Sequence, residues 1–246
     1  MKPDFDTTGG RRGVPIDTLT ADAPIVVLAP HPDDESLACG GLLAGAFAAD
    51  GAHVVCLTDG GASHPATPER PRAALAALRR DELIAAIGHL GGSRHDLTWL
   101  GLRDGEVSQD PAHHPQIIAR IAHLCETLGA RTLFATASAD AHGDHKAAAA
   151  IATAVRNMSP RLRLIWYPVW SRWDDPASLE AAGQRVMTLE THAWRDAKAA
   201  AIAAHASQHD QPIAASGPVE PTGFALDPDF IQLFLEGDEI FWEAFR

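Results

Sequence analysis

Four of the five residues from His31 to Glu35 carry groups that bind cations or move protons. The stretch Ala29-Pro30-His31-Pro32-Asp33-Asp34-Glu35-Ser36 packs one imidazole and three carboxylates directly after an apolar run. Neighbouring carboxylates repel, and keeping them together costs stability unless a cation or a catalytic role offsets it. A turn aims Asp33 and Asp34 in different directions, so one can bind a metal while the other faces a water. Helix capping is the plainer alternative, with one Asp as cap and Glu35 complementing the helix dipole. Capping accounts for one acid, but not for His31 and three acids in a row.

A second segment, Asp140-Ala141-His142-Gly143-Asp144-His145-Lys146, has histidines at i and i+3, which puts both on one side of a helical turn. A lone histidine there reads as a cap or a surface residue. Two histidines and two acids opposite the His31 cluster read as a site. Together the segments supply a metal set of His31, Asp34 and His145. Three N/O ligands leave a fourth position for water, the pattern of catalytic rather than structural zinc. Such a metal lowers the pKa of its water and polarises a carbonyl oxygen, the two needs of amide hydrolysis. Asp33 is the candidate general base, because Asp34 is taken by the metal, and His142 is the candidate proton donor for the leaving amine. Zinc is the first expectation, and the same ligands tolerate Fe2+ or Co2+.

These segments need elements to hold them. The run 24–29 is short and continuously apolar, the pattern of a strand buried on both faces. Helical stretches at about 36–49, 71–90, 115–128, 146–157 and 193–206 alternate with strand candidates at 53–57, 97–102, 131–136, 162–169 and 186–190. This alternation predicts an α/β fold, a Rossmann-like three-layer sandwich with a mainly parallel sheet. Ligand sites in such sheets lie beyond the C-terminal edge of the strands. The turns at 30–35, 58–64 and 137–145 are therefore expected side by side on that edge. Residues 1–23 read as a flexible N-terminal leader and 24–246 as a single domain, with a C-terminal tail the pattern does not place.

At these residues the sequence resembles the PIG-L/LmbE family of zinc-dependent N-acetylglucosaminyl deacetylases. The resemblance rests on Ala29 to Ser36 and on His142 to His145. Thr58-Asp59-Gly60, Arg79 with Glu82, and Lys198 with Ser207-Gln208 lend lesser support. It implies a hydrolase that deacetylates a GlcNAc-like N-acetylated amino sugar, with His31, Asp34 and His145 on the metal and Asp33 as base. It also implies His142 as the group that stabilises the oxyanion or protonates the amine, Asp144 as the carboxylate orienting His142, and Arg79 and Asp104 at the sugar hydroxyls. The family carries Pro where this chain has Gly143, which loosens the turn that aims His142.

The rest of the composition narrows the classes. A net charge of −12 over 246 residues argues against nucleic acid or an anionic membrane as the main partner. No apolar run reaches the ~18–20 residues of a membrane span, and no signal peptide is legible, so a cytoplasmic enzyme acting on a small molecule is expected, with a homo-oligomer possible. Cys39, Cys56 and Cys125 form no CxxC pair and read as inert buried thiols. Trp166, Tyr167, Trp170 and Trp173 are either sugar-stacking aromatics or core. His64 reads as an exposed loop residue, and His205 and His209 are ambiguous. Two other readings stay open: an amidase of a sugar or thiol conjugate using the same metal site, and a non-catalytic metal-binding module. The G-x-G-x-x-G of a nucleotide-binding turn is absent after the first strand.

Overall fold

Every side chain of β2 (Ile25–Ala29) is buried, and the pleat sends them alternately to two cores. Ile25 and Val27 enter one core, Val26 and Leu28 the other. A strand with two apolar faces must be covered on both sides, and this chain supplies helices for each. The computed structural model describes residues 12–174, 186–209 and 225–244.

β2 lies between β3 (Ala52–Thr58) and β5 (Thr132–Thr136), parallel to both. β4 (Leu97–Leu102) extends the sheet beyond β3, and β6 (Arg163–Tyr167) extends it beyond β5. β7 (Val186–Leu189), β8 (Glu239–Glu243) and the short β1 (Arg12–Gly13) complete an eight-stranded sheet of order β1-β7-β8-β6-β5-β2-β3-β4. All pairings are parallel except those of β8, which runs antiparallel between β6 and β7. The mainly parallel three-layer α/β arrangement expected from the sequence is therefore the one found.

Helices α2 (Asp34–Phe47) and α3 (Arg72–His89) cover one face, joined by α7 (Arg195–Ala204) and α8 (Pro228–Glu236). Helices α4 (Pro115–Leu128) and α5 (Gly143–Met158) cover the other. The short α1 (Ile16–Thr20) and α6 (Trp170–Asp174) complete the α-helices of the described residues. The chain leaves β2 towards β3 and β4 on one side, then returns to β5 and β6 on the other. The strand order reverses between β2 and β5, and a crevice opens beyond their C-terminal ends. His31 and Asp34 follow β2, and residues 137–145 follow β5. No helix of the described residues is long and apolar enough to cross a membrane.

Three features differ from the sequence reading. Part of the expected leader is structured: β1 pairs with β7, and Leu19 of α1 is fully buried in the core, while residues 1–11 lie outside the described residues. Helix α5 begins at Gly143 rather than near Lys146, because the His142 ring accepts from the Asp144 N–H and caps it. The tail, unplaced by its pattern, supplies α8 and the inserted strand β8.

Helix α2 is buried along almost its whole length, which explains its small residues. A Cβ at Gly41 would lie 2.5 Å from Thr191 Cγ2, and one at Gly45 would lie 2.7 Å from the Trp194 ring. Beside these glycines Lys198 Nζ sits 2.7 Å from Glu239 Oε1, an ion pair with both partners essentially without solvent exposure. Glu239 also accepts from the Gly41 and Leu42 N–H groups at 2.6 and 2.9 Å. Burial lowers the Lys198 pKa, and Glu239 counters it. The pair fastens α7 and β8 to the helix that carries the His31 motif. Lys198→Met is expected to destabilise the protein by about 3–5 kcal/mol, since it leaves a buried charge unpaired. Adding Glu239→Gln should recover part of that loss in a denaturant double-mutant cycle; strictly additive losses would show the two residues uncoupled.

Candidate active site

Asp33 stands at the entrance of α2 with φ 142° and ψ −30°, a conformation L-residues rarely adopt. Such a backbone costs about 1–3 kcal/mol and persists only where its surroundings over-determine it. The surroundings here are specific. The Asp33 N–H donates to Glu35 Oε2 at 3.1 Å, and Arg79 donates to the Pro32 carbonyl at 2.6 Å and to Asp33 Oδ2 at 3.1 Å. Arg79 also donates to the Gly60 carbonyl at 2.9 Å. Gly60 has φ +61°, and a Cβ there would fall 2.8 Å from Arg79 Nη1, so the Thr58-Asp59-Gly60 turn requires glycine for both reasons. Burial pushes the Asp33 carboxyl up to about 6, although Arg79 pulls the other way. Asp33 thus stays ionised at neutral pH while being more basic than an ordinary carboxylate.

Asp34 turns the other way. Its Oδ2 accepts from the His31 N–H at 2.9 Å and lies 3.3 Å from His31 Nδ1 and 3.4 Å from His145 Nε2. Each imidazole has its second nitrogen on a carboxylate. His31 Nε2 is 3.1 Å from Asp144 Oδ2 and 3.3 Å from Asp104 Oδ1, and His145 Nδ1 is 2.8 Å from Asp140 Oδ2. Those nitrogens carry protons, because their neighbours only accept, so His31 Nδ1 and His145 Nε2 face Asp34 with their other valence. His145 Nε2 is buried and makes no hydrogen bond.

An orphaned buried nitrogen beside a carboxylate fits a cation. Ligand atoms about 2.0–2.1 Å from a tetrahedral zinc lie about 3.3–3.4 Å apart, and Asp34 keeps that spacing from both imidazoles. Among the described residues, the triplets whose ligand atoms all lie within 4.8 Å of one another are His31 with His142 and His145, and His31 with Asp104 and Asp144. Donor chemistry favours Asp34 over either, since His142 Nδ1 is occupied by the Asp144 N–H and His31 Nε2 by carboxylates. The electrostatics agree. Burial opposes charge on His145 and on Asp34, yet their attraction, with Asp140, raises His145 to about 9 and holds Asp34 well below the usual carboxylate range. Burial likewise disfavours the His31 cation, and Asp104, Asp144 and Asp34 overcome it.

The residues singled out in the sequence converge, with some partners changed. His31, Asp33, Asp34, Arg79, Asp104 and His142 line one cavity of about 340 Å³. The Asp144 carboxylate holds His31, together with the Gly105 and Val107 N–H groups, and only its backbone N–H engages His142. Arg79 spends its Nη groups on the Asp33 turn and on Gly60, while its buried Nε makes no hydrogen bond. Asp104 bonds the Ala62 N–H and faces His31. Burial, then the nearby His31 and His145, lower the His142 pKa and keep it neutral. Its Nδ1 accepts a hydrogen bond, so the proton sits on Nε2. Of the four aromatics, only Trp170 lines the cavity. Tyr167 is core, its hydroxyl donating to the Leu28 carbonyl, Trp166 packs on the sheet, and Trp173 is partly exposed. His64 is buried rather than exposed, beside the Ser63 hydroxyl.

Two residues noted in the sequence had been given no role there. Asp140 accepts from the Val169 and Ser171 N–H groups while facing His145, and so ties the end of β6 to that imidazole. The available signal was an acid two residues before His142. His205 Nε2 lies 3.1 Å from Glu35 Oε1, and nothing local links residues so distant in sequence.

A family model described as PIG-L, GlcNAc-PI de-N-acetylase, matches residues 26–156. No curated protein sequence matches. Among solved structures, the conserved protein TT1542 of Thermus thermophilus is 28% identical, with 75% of this chain and 79% of that chain covered and a TM-score of 0.56. The N,N'-diacetylchitobiose deacetylase of Pyrococcus horikoshii is 19% identical, covering 82% and 77%, with a TM-score of 0.59. A 4-carboxy-2-hydroxymuconate hydratase from Pseudomonas putida is 16% identical, covering 91% and 97%, at 0.60. A deacetylase and a hydratase thus share this fold, and likeness of fold alone does not choose a reaction.

Asp140→Asn is expected to weaken divalent-metal affinity about 10–100-fold, read by competition with a chelator; unchanged affinity would leave Asp140 a purely structural residue. Burial opposes charge on His205, but Glu35 prevails and raises its pKa. Its stabilising contribution is complete below the ordinary histidine value of about 6.5 and fades as pH climbs through the raised one. The stability gap between wild type and His205→Gln should therefore narrow with rising pH; a constant gap would show that His205 pairs as a neutral ring.

Proposed function

The chain belongs to the PIG-L (GlcNAc-PI de-N-acetylase) family, and on that premise we propose that it hydrolyses the amide of an N-acetylated amino-sugar substrate at a divalent metal, zinc first. The observation that carries the reading is Asp33. It is a strained, buried carboxylate of raised pKa on the lining of the cavity beside His31 and Asp34, its Oδ2 held by Arg79 rather than by an imidazole. A binding module has no use for a second carboxylate kept basic beside the ligands.

His31 Nδ1, Asp34 Oδ2 and His145 Nε2 would hold the ion. When bound, it supplies Lewis acidity, polarising the amide oxygen and acidifying a water. The protein does the rest. Asp33 takes a proton from the water as its oxygen bonds to the amide carbon. The charge that develops on the carbonyl oxygen meets the His142 Nε2–H, held in that tautomer by the Asp144 N–H. The C–N bond then breaks, the nitrogen takes the proton Asp33 received, and the acyl group leaves as a carboxylic acid, whose remaining water-derived proton passes to the amine to give carboxylate and ammonium. Asp144 and Asp140 keep His31 and His145 aimed. Asp104, Ser63 and Gln208 on the cavity wall offer partners for sugar hydroxyls, while Arg79 serves substrate binding through the Asp33 turn it braces.

Elemental analysis of purified wild type and an Asp34→Ala, His145→Ala double variant should find about one equivalent of metal in the first and none in the second. Asp33→Asn should keep the ion and lose about 10²–10⁴-fold in kcat on N-acetylglucosamine-type amides. Wild-type turnover in that variant would remove Asp33 from the chemistry, and a wild type that cannot be loaded would remove the reading itself.

A further inference from the structure

The peptide between Pro32 and Asp33 is gripped at both ends. Arg79 donates to its carbonyl at 2.6 Å, and its N–H donates to Glu35 Oε2 at 3.1 Å. Fixing the carbonyl and the N–H of one planar peptide fixes the orientation of the plane. With it goes the dihedral about the Asp33 N–Cα bond, held at 142°. Releasing either grip lets the plane rotate towards the negative φ that an L-residue prefers, and frees the setting of the Asp33 side chain.

The carbonyl grip comes from α3 directly, whereas the N–H grip has a support of its own. Glu35 is fully buried, and its Oε1 is bound by the Ser36 hydroxyl at 2.5 Å and by His205 Nε2 at 3.1 Å. His205 Nε2 also lies 3.2 Å from Ser36 Oγ, so the three side chains close a triangle. A carboxylate only accepts, so Nε2 carries the proton directed at Oε1. With Oε1 held by two donors, the second oxygen is left to the Asp33 N–H. Ser36 adjoins Glu35 on the same helix and turns with it. His205 arrives from 170 positions away and is the outside anchor.

His205 is itself fastened. Its N–H donates to the Ile202 carbonyl at 3.2 Å, and its carbonyl accepts from the Gln208 N–H at 2.9 Å. Ser207, in the same turn, gives its N–H and hydroxyl to Glu82 at 2.8 and 2.7 Å. Glu82 stands one turn beyond Arg79 on the same face of α3. One helix thus holds the carbonyl end of the peptide through Arg79, and the N–H end through the 205–208 turn and Glu35. Neither Glu35 nor His205 lines the cavity.

We infer that His205 is a positioning residue for the amide hydrolysis: through Glu35 it fixes the Pro32–Asp33 peptide, and so the aim of the base. The inference rests on the reading of Asp33 as general base.

Two amide replacements test it. Gln places an N–H donor near the position of the imidazole Nε2, whereas Asn, one methylene shorter, does not reach Glu35. In zinc-loaded protein acting on an N-acetylglucosamine-type amide, His205→Asn should lower kcat about 10–100-fold, with KM and bound zinc unchanged. His205→Gln should recover most of that loss. In an Asp33→Asn background, His205→Asn should cost nothing further, because its effect passes through Asp33. The same loss in both backgrounds, or wild-type kcat in His205→Asn, would overturn the inference while leaving the hydrolase reading intact. Should His205→Asn not fold, Glu35→Gln takes its place. With its amide oxygen kept on the Ser36 and His205 donors, its NH2 meets the Asp33 N–H donor to donor, so the same kcat loss is expected and an unchanged kcat overturns the inference. If the wild type cleaves no amide, the hydrolase reading falls, and hydrogen exchange of the Asp33 amide, followed by NMR, decides the link. Exchange about tenfold faster or more in the variant, with the Leu28 and Val54 amides unchanged, would sustain it; no selective change would overturn it.

Discussion

The Asp34 carboxylate, wedged between His31 Nδ1 and His145 Nε2, is the contact around which this protein is arranged. Asp33, Asp34, Glu35, Asp104, Asp140 and Asp144 are all buried at one sheet edge. Carboxylates withdrawn from water this closely repel one another strongly unless each is compensated. The fold gives each a dedicated partner: Arg79 for Asp33, two imidazoles for Asp34, His205 for Glu35, backbone N–H groups for Asp104, Asp140 and Asp144. A cation between Asp34 and the two imidazoles is consistent with that accounting, and it explains a buried His145 nitrogen that otherwise bonds to nothing.

Those partners come from every part of the chain, which is why a sheet with a switch point suits the site. The loops after β2, β3, β4 and β5 meet at the reversal of strand order, so no long excursion is needed to gather them. The C-terminal third acts from behind. Its buried Lys198–Glu239 pair grips the middle of α2, and His205 and Ser207 bind Glu35 and Glu82. The strained Asp33 turn is held from both sides, and that rigidity keeps two adjacent carboxylates on different partners, Asp33 on Arg79 and Asp34 on the two imidazoles.

The same C-terminal third also lines the cavity. His31, Asp34 and His145 lie within the stretch that the family model matches, 26–156, whereas Val169, Trp170, Leu226 and Phe230 fall outside it. Structures of this fold include a deacetylase and a hydratase, so the fold by itself does not choose the reaction.

The sequence by itself determined the local matters. Continuous apolar runs specified β2, β3 and β5, because both of their faces must be buried. His31, Asp33, Asp34 and His145 announced themselves, because charged groups crowded into a turn are too costly to be incidental. The resemblance carried by the same residues pointed to the family. Only the tertiary structure decided which carboxylate serves which histidine: Asp144 turns to His31 rather than to its neighbour His142, and Asp140 takes His145. It also brought His205 to Glu35, turned Arg79 onto the Asp33 turn, and inserted β8 between β6 and β7. The reason is the same in each case. Periodicity and motif spacing report interactions within a few residues, whereas these pairings join residues up to 170 positions apart, and their energy comes from excluding water where distant segments meet.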